Sequence, residues 1–589
     1  MSASLVRYKR YLACMMSFLA LLLPVGVAAS TERPNFIVIL ADDMGWSDLS
    51  FMGSEIHTPT LDGLARRGVT MTRFYVSPTC SPTRSMLMTG VDSHIAGVGS
   101  MEGVQAPNQL ESINYAGQLH NGVVTVAEAL KSVGYATLMS GKWHLAKEAA
   151  QYPDKRGFDQ SFFLAEGGAS HFNDAKPLYR GGHASYFENG EAVVLPDDFY
   201  SSKNYTDKIL EYINAVPEGA PFFAYLAYTA PHDPLQVPPE WADKYQGVYA
   251  AGPEATLRKR VAGLTGRGLI PADIDVWSAP QFPAFLPGAA PSWNERSLDE
   301  RANDAKPMEI YASMIEYMDQ QIARLLASLD AAGKLENTYV IFFSDNGPNG
   351  ATPLSYPNMT RAWFHENFPD DAVKQGGEGG HLFQGREWAW ASAAPFRLYK
   401  GVVSEGGVRS PLIVAGPGLE RNKFSQYLAS VKDISATLYA LAGVDTQSNP
   451  VFSGKAQPEG KSLIRNWQDI STSSERRFAM ELFGHQAVID GSWKATRLMP
   501  PVGSGDWQLY NLDSDPSETF NLAAEHPLRL EEMVNFYMDY KQRVGVIPPR
   551  PPVSISFGDL FVGECGLVCE FAVDIIDFFM SIWVSLSAD

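Results

Sequence analysis

Unbroken apolar runs recur along the chain, and each ends in polar side chains. NFIVILA (35–41) leads into Asp42 and Asp43, and ATLMSG (136–141) into Lys142 and His144. FFAYLAYTA (222–230) is followed by Pro231 and His232, and VIFFS (340–344) by Asp345 and Asn346. SPLIVAGPG starts at Ser410, and TRFYV (72–76) precedes Cys80 and Arg84. Such runs are what strands buried on both faces of a parallel sheet look like. Between them the spacing turns helical. HTPTLDGLARRGV (57–69) opens on Thr-Pro, TVAEALKSVG (125–134) closes on glycine, and VKDISATLYALAGV (431–444) closes the same way. Residues 306–333 place Ile310, Met314, Met318, Ile322 and Leu325 on one face of a long helix.

The alternation predicts an α/β fold: one large, mixed, mostly parallel sheet flanked by helices on both faces. No repeat of fixed period is visible. A stretch rich in Pro, Gly, Ser and Gln at 445–475 reads as a linker. Beyond it, QAVIDGSWKATRL and WQLYNLDSDPSETFNL alternate like short antiparallel strands, so a smaller C-terminal domain is expected. The predicted organisation is a leader at 1–29, a main domain at 30–450, a C-terminal subdomain at 451–550 and an apolar amphipathic tail at 551–589.

Composition narrows the class. With 45% hydrophobic and 19% charged residues the chain is globular rather than disordered. A net charge of −19 and no basic stripe argue against a nucleic-acid binder. The same acidity leaves room for an anionic substrate wherever a local site is cationic. Arg7, Lys9 and Arg10, the apolar YLACMMSFLALLLPVGV and the small residues Val27-Ala28-Ala29 read as a secretory signal peptide, with an uncleaved anchor as the other reading. The expected location is therefore periplasmic or secreted. After the leader, Cys80 is the sole cysteine until Cys565 and Cys569 in the tail, so no disulfide framework supports the body. The tail is interrupted by Glu570, Asp574 and Asp577 and falls short of a membrane span. It suits packing on the body, self-association or a membrane surface. Asn204 and Asn358 head glycosylation triplets.

Ligands of open α/β sheets bind at the carboxyl ends of the strands, so these polar clusters point to one site at one sheet edge. Asp42, Asp43, Asp345 and Asn346 offer only hard oxygen atoms. Adjacent carboxylates repel unless a cation holds them, and an oxygen-only set favours Ca²⁺ or Mg²⁺ over zinc. A solvated turn is the bland alternative for Asp-Asp, but the echo of ILADDMG in FFSDNGP favours the metal. Arg84, Lys142, His144, His232 and Lys400 beside such an ion suit a tetrahedral oxyanion undergoing sulfuryl or phosphoryl transfer. Cys80 is then the nucleophile, its precursor or an inert core thiol. A thiolate needs a base nearby, and a carboxylate-rich site is expected to oppose one.

CSPTRSMLMTG resembles the sulfatase signature, Cys-x-Pro-Ser-Arg followed by Thr-Gly. Cys80, Pro82, Arg84, Thr89 and Gly90 match; Thr83 replaces the usual serine and Met88 the usual leucine. RPNFIVILADDMGWSDL, GKWHL, PFFAYLAYTAPH, FSDNG and RLYKGVVSEGGVRSP look like further blocks of that family in family order. The chain is thus similar to formylglycine-dependent (type I) sulfatases, most like bacterial arylsulfatases, to about residue 545. The resemblance implies an alkaline-phosphatase-like fold. It also implies that a maturation enzyme converts Cys80 to Cα-formylglycine, present as a hydrated gem-diol. Asp42, Asp43, Asp345 and Asn346 would hold Ca²⁺, in preference to Mg²⁺, which also touches a diol oxygen of residue 80 and a sulfate oxygen. One diol oxygen would attack sulfur with Asp345 taking its proton, and Lys142 and Lys400 would bind sulfate oxygens. His232 would protonate the leaving oxygen, His144 would assist the second hydroxyl, and Arg84 would orient the diol. The implied activity is hydrolysis of a small sulfate ester, an aryl sulfate first. A carbohydrate sulfate, or a phosphonate or phosphate ester, is the alternative. The aromatic residues of the 346–400 insert, Trp363, Phe364, Phe368, Trp388 and Trp390, could wall the substrate pocket or pack the loop. Asp233 could select substrates or cap a turn, and the turn is preferred.

Overall fold

The computed structural model describes residues 33–278, 292–356, 359–368, 376–470, 476–500 and 502–550. The expected leader, the tail with Cys565 and Cys569, and Asn358 lie outside the described residues. The apolar runs form adjacent strands: β1 (Asn35–Ala41), β2 (Val69–Tyr75), β3 (Ala136–Lys142), β4 (Gln160–Leu164), the β5–β6 hairpin (Tyr186–Glu188 and Glu191–Ala192), β7 (Phe222–Ala227), β8 (Thr338–Ser344) and β9 (Arg409–Ala415). Short β10 (Lys423–Ser425) and β11 (Ala429–Ser430) complete an 11-stranded sheet ordered β10-β2-β9-β8-β1-β7-β3-β4-β5-β6, with β11 beside β2.

Strands β8, β1, β7, β3 and β4 are mutually parallel, with Leu40 facing Phe343 on one side and Ala227 on the other. The run is apolar at every position because both faces are covered. Ile37 and Ile39 enter one core with the helices Ser201–Ala215 and Leu298–Ala331. Phe36, Val38 and Leu40 enter a second core with Cys80–Thr89, Val126–Ser132 and Lys432–Ala442. Strand β9 is antiparallel to both β2 and β8. Consequently β2 runs with β8, and the carboxyl ends of β1, β2, β3, β7 and β8 meet the start of β9 at one edge.

Local chemistry explains the helix ends. Thr125 and Glu128 form a capping box at the start of Val126–Ser132. The long helix begins at Leu298, before the expected start, because Ser297 and Glu300 form another box there and Pro307 is accommodated inside. The stretch expected to be a linker instead sends Phe452, Leu463 and Trp467 into the second core. Strands β12 (Arg477–Leu482), β13 (His485–Asp490), β14 (Trp493–Arg497) and β15 (Trp507–Asn511) form the small antiparallel sheet, in that order. The Pro527–Val544 helix covers it, packing Met533, Tyr537 and Tyr540 on Val488, Ala495 and Leu509. Among the described residues no helix is long and apolar enough to cross a membrane.

Candidate active site

Two backbone hydrogen bonds extend the central ladder past the strand ends. Asp42 N–H donates to the Ala230 carbonyl and Asp345 N–H to that of Ala41, each at 3.1 Å. The acids are thereby fixed at the sheet edge by the same backbone that makes the sheet. Asp43 (φ 67°) and His144 (φ 56°) adopt the left-handed region, which disfavours a residue with a Cβ and is tolerated chiefly where function demands it.

Carboxylate oxygens of Asp42, Asp43 and Asp345 lie within 4.8 Å of one another, all buried. Arg84, wholly buried, spans two of them. Its Nε and Nη2 lie 2.9 and 2.8 Å from Asp345 Oδ2, its Nη2 lies 3.3 Å from Asp42 Oδ2, and its Nη1 donates to the Lys142 carbonyl. Lys142 Nζ donates to Asp42 Oδ2 at 2.6 Å, and Lys400 Nζ lies 2.8 and 2.9 Å from the two oxygens of Asp43. Asn346 Nδ2 donates to Asp43 Oδ1 at 2.6 Å. Two oxygens of this set, Asp42 Oδ1 and Asn346 Oδ1, are buried with no hydrogen-bond partner. Orphaned hard acceptors in a cluster of three carboxylates fit a divalent oxygen-seeking cation. Asp42, Asp43, Asp345 and Asn346 are the residues that would hold it.

The charges divide the acids. Burial works to raise Asp42, but Lys142, His232, Arg84 and Lys400 hold it below the usual carboxylate range. Burial and the Asp42 charge push Asp345 well above that range, against Arg84. The two buried carboxylates thus work against each other's charge, and the cations decide the balance differently at each.

Cys80 opens the Cys80–Thr89 helix and is 2% exposed. Thr83, where the signature has serine, accepts the Ser77 N–H at its Oγ1 at 2.8 Å. Burial pushes the Cys80 thiol up, yet Lys142, Lys400 and a hydrogen bond with His232 bring it down to about 6. Asp42 opposes the thiolate as expected, but the cations at these positions outweigh it. His232 Nδ1 donates to the Asp233 carbonyl at 2.6 Å, since a carbonyl can only accept. That fixes the ring and leaves Nε2, 3.5 Å from Asp43 Oδ2, toward the acids. Burial, with Lys142 and Arg84, drives His144 well below the ordinary imidazole range, so it is a neutral base.

The structure therefore brings together every residue predicted for the site: Asp42, Asp43, Cys80, Arg84, Lys142, His144, His232, Asp345, Asn346 and Lys400. A cavity of about 330 Å³ opens over Cys80, His144, His232 and Lys400. Its other walls include Val104, Leu178, Tyr179 and Tyr356, none of which sequence reasoning singled out. Nor was Gly167-Gly168 foreseen. These residues follow β4, and a Cβ on Gly167 would stand 2.7 Å from His144 Cε1. The same strand-end rule would have found them had β4 been recognised.

Of the two readings for the aromatic residues of the insert, packing is the one observed. Trp388 packs on Tyr249 and Trp293 and donates to the Asp304 carbonyl, while Trp390 packs on Trp277. Phe364 and Phe368 pack on His381, and Trp363 packs on Phe368. None of the five lines the cavity; the insert contributes Tyr356 and Tyr399 instead. Asp233 does not cap its own turn. It is buried and accepts Asn349 Nδ2 at 2.8 Å, tying the His232 loop to the insert.

Comparison with known proteins bears on these residues. A family model described as Sulfatase matches residues 34–444. An arylsulfatase of Klebsiella aerogenes is 40% identical over 422 residues, covering 71% of this chain and 88% of that protein. An uncharacterized sulfatase of Schizosaccharomyces pombe is 37% identical over 540 residues, covering 88% of this chain and 95% of that one. Among solved structures, Ps i-CgsB in complex with k-i-k-neocarrahexaose aligns with a TM-score of 0.61 at 21% identity, covering 94% and 99% of the two chains. That likeness is one of fold.

Proposed function

The chain belongs to the sulfatase family, and on that premise we propose that it hydrolyses aryl sulfates by way of a formylglycine made from Cys80. The observation that carries this is the meeting of Cys80, Lys400, His144 and His232 on one side of a cavity whose other side includes Tyr179 and Tyr356. When residue 80 is oxidised and hydrated, it supplies an oxygen nucleophile and a second hydroxyl through which sulfate can be expelled. A Ca²⁺ ion held by Asp42, Asp43, Asp345 and Asn346 would draw charge from sulfate oxygens.

The chain's own residues do the rest. Lys142 and Lys400 offset negative charge on the transferring group. Asp345, in the ionised form that Arg84 favours, takes the proton of the attacking hydroxyl. His232, its Nδ1–H donated to the Asp233 carbonyl, presents Nε2 to the leaving oxygen, the position from which a protonated ring would hand over the proton that oxygen needs. His144, neutral, takes the proton of the second hydroxyl. Arg84 keeps Asp42 and Asp345 in place from the far side.

Cys80 and Arg84 are buried within a helix, which supports a maturation enzyme acting on the chain before it folds. Export by the leader at 1–29 is part of the same proposal. A carbohydrate sulfate is the second reading, because the solved relative carries a neocarrahexaose. The test is kcat/KM of the matured enzyme on an aryl sulfate, a sulfated sugar and the phosphate ester matching the aryl sulfate. The proposal expects the aryl sulfate to lead; a leading phosphate ester would overturn sulfate specificity, and a leading sugar the aryl preference.

A further inference from the structure

The cavity changes character from floor to mouth. Its buried end carries Lys400, His144 and His232, but its solvent-facing end carries two carboxylates, Glu102 and Glu166. Glu102 is 49% exposed, and its counter-charge is Lys147 at 3.6 Å, which does not line the cavity. Glu166 accepts the Ser185 N–H at 2.7 Å and has no ion pair among the described residues. Both acids line the same cavity as Tyr179. Burial first, then Glu102 and Glu166, raise the Tyr179 phenol, while burial first and then Glu166 raise Glu102 against Lys147. Tyr179 stacks on Tyr356 at 6.3 Å with 14° between the rings, giving the same mouth an aromatic wall.

We infer that this mouth reads the charge of the substrate's leaving group: Glu102 and Glu166 admit an aromatic alcohol that is neutral or cationic at its far end and repel one bearing a second anion. The inference rests on the sulfatase reading for the floor of the cavity. It follows from opposing fields. The floor needs one anion and supplies cations for it, whereas a second anion, held beyond the rings, meets like charges partly removed from water. Specificity then comes from repulsion at the mouth rather than added attraction at the floor. A unit charge several ångströms from a carboxylate changes affinity by up to about tenfold at a surface-like dielectric.

The test uses Cys80→Ala protein with Ca²⁺ present, so that binding is read without turnover. Three aryl sulfates of one skeleton carry a trimethylammonium, a tert-butyl or a carboxylate group para to the sulfate, and their Kd values are measured by calorimetry. Affinity should fall in that order by about tenfold per step, with the steps shrinking as salt is raised. Adding Glu102→Gln and Glu166→Gln should bring the three values to within about twofold. Equal affinities in Cys80→Ala protein, or an order that survives both glutamines, would overturn the inference. Turnover of the tert-butyl ester by matured wild-type enzyme is measured alongside. Its absence would count against the sulfatase reading, whatever order the Kd values take.

Discussion

At Gly167 the lack of a single carbon leaves room for the His144 ring. An added Cβ would stand 2.7 Å from His144 Cε1 and 2.8 Å from its Nε2, closer than real contacts allow. His144 is already held in a left-handed backbone conformation and has little room to yield. Gly167→Ala should lower kcat by about a hundredfold through a displaced base, with a smaller change in KM. Steady-state kinetics beside a thermal midpoint checks this, because loss of folding would lower the midpoint as well. Most of the residues gathered at the site were legible because they follow apolar runs, and the strand-end rule gathers them; Lys400, which precedes β9, is the exception. Gly167, Tyr179 and Tyr356 were not legible, because their role lies in contacts made across the cavity. The net acidity of Cys80 was not legible for a related reason. Sequence does not say which charges face the thiol, and Lys142, Lys400 and His232 outweigh the opposing Asp42.

Among the elements, those read correctly were long and had period or punctuation. β1, β7 and β8 are six or seven buried residues each, and the helices at 59, 126 and 432 carry proline, a capping box or a closing glycine. β4 is five residues, too short to stand out, and β5 and β6 are shorter still. The hairpin nevertheless had a signal: Asn189-Gly190, both at positive φ, is the dipeptide that a tight two-residue turn prefers. The stretch at 445–475 misled through composition. Its Pro, Ser and Gln suggest a linker, but Phe452, Leu463 and Trp467 anchor it in the core. Strand direction lay beyond the pattern. SPLIVA reads the same whether parallel or antiparallel, and only the turn-back at 400–408 makes β9 run against β8. That reversal is what delivers Lys400 to the site.

At the scale of the molecule, the small sheet is fastened to the main body through buried ions. His94 follows the Cys80–Thr89 helix, and its ring lies 2.9 Å from Asp92 and 3.0 Å from Glu481 on β12. Tyr540 of the covering helix donates to the other Asp92 oxygen at 3.0 Å. Burial works to lower His94, but the bonds to Asp92 and Glu481 raise it from 6.5 to about 9. A folded pKa above the unfolded one means the stabilisation is complete below pH 6.5 and is lost as pH rises through about 9. The thermal midpoint should therefore fall across that window, and His94→Gln should flatten the fall; an unchanged slope would place the pH dependence elsewhere. The same body and sheet support one chemical claim, that residue 80 works as an oxygen nucleophile. Mass spectrometry of the peptide containing Cys80, taken from protein that is turning over an aryl sulfate, tests it most directly. The account predicts the mass of the aldehyde or its hydrate at residue 80. Fully active protein whose Cys80 remains an unmodified thiol would contradict it.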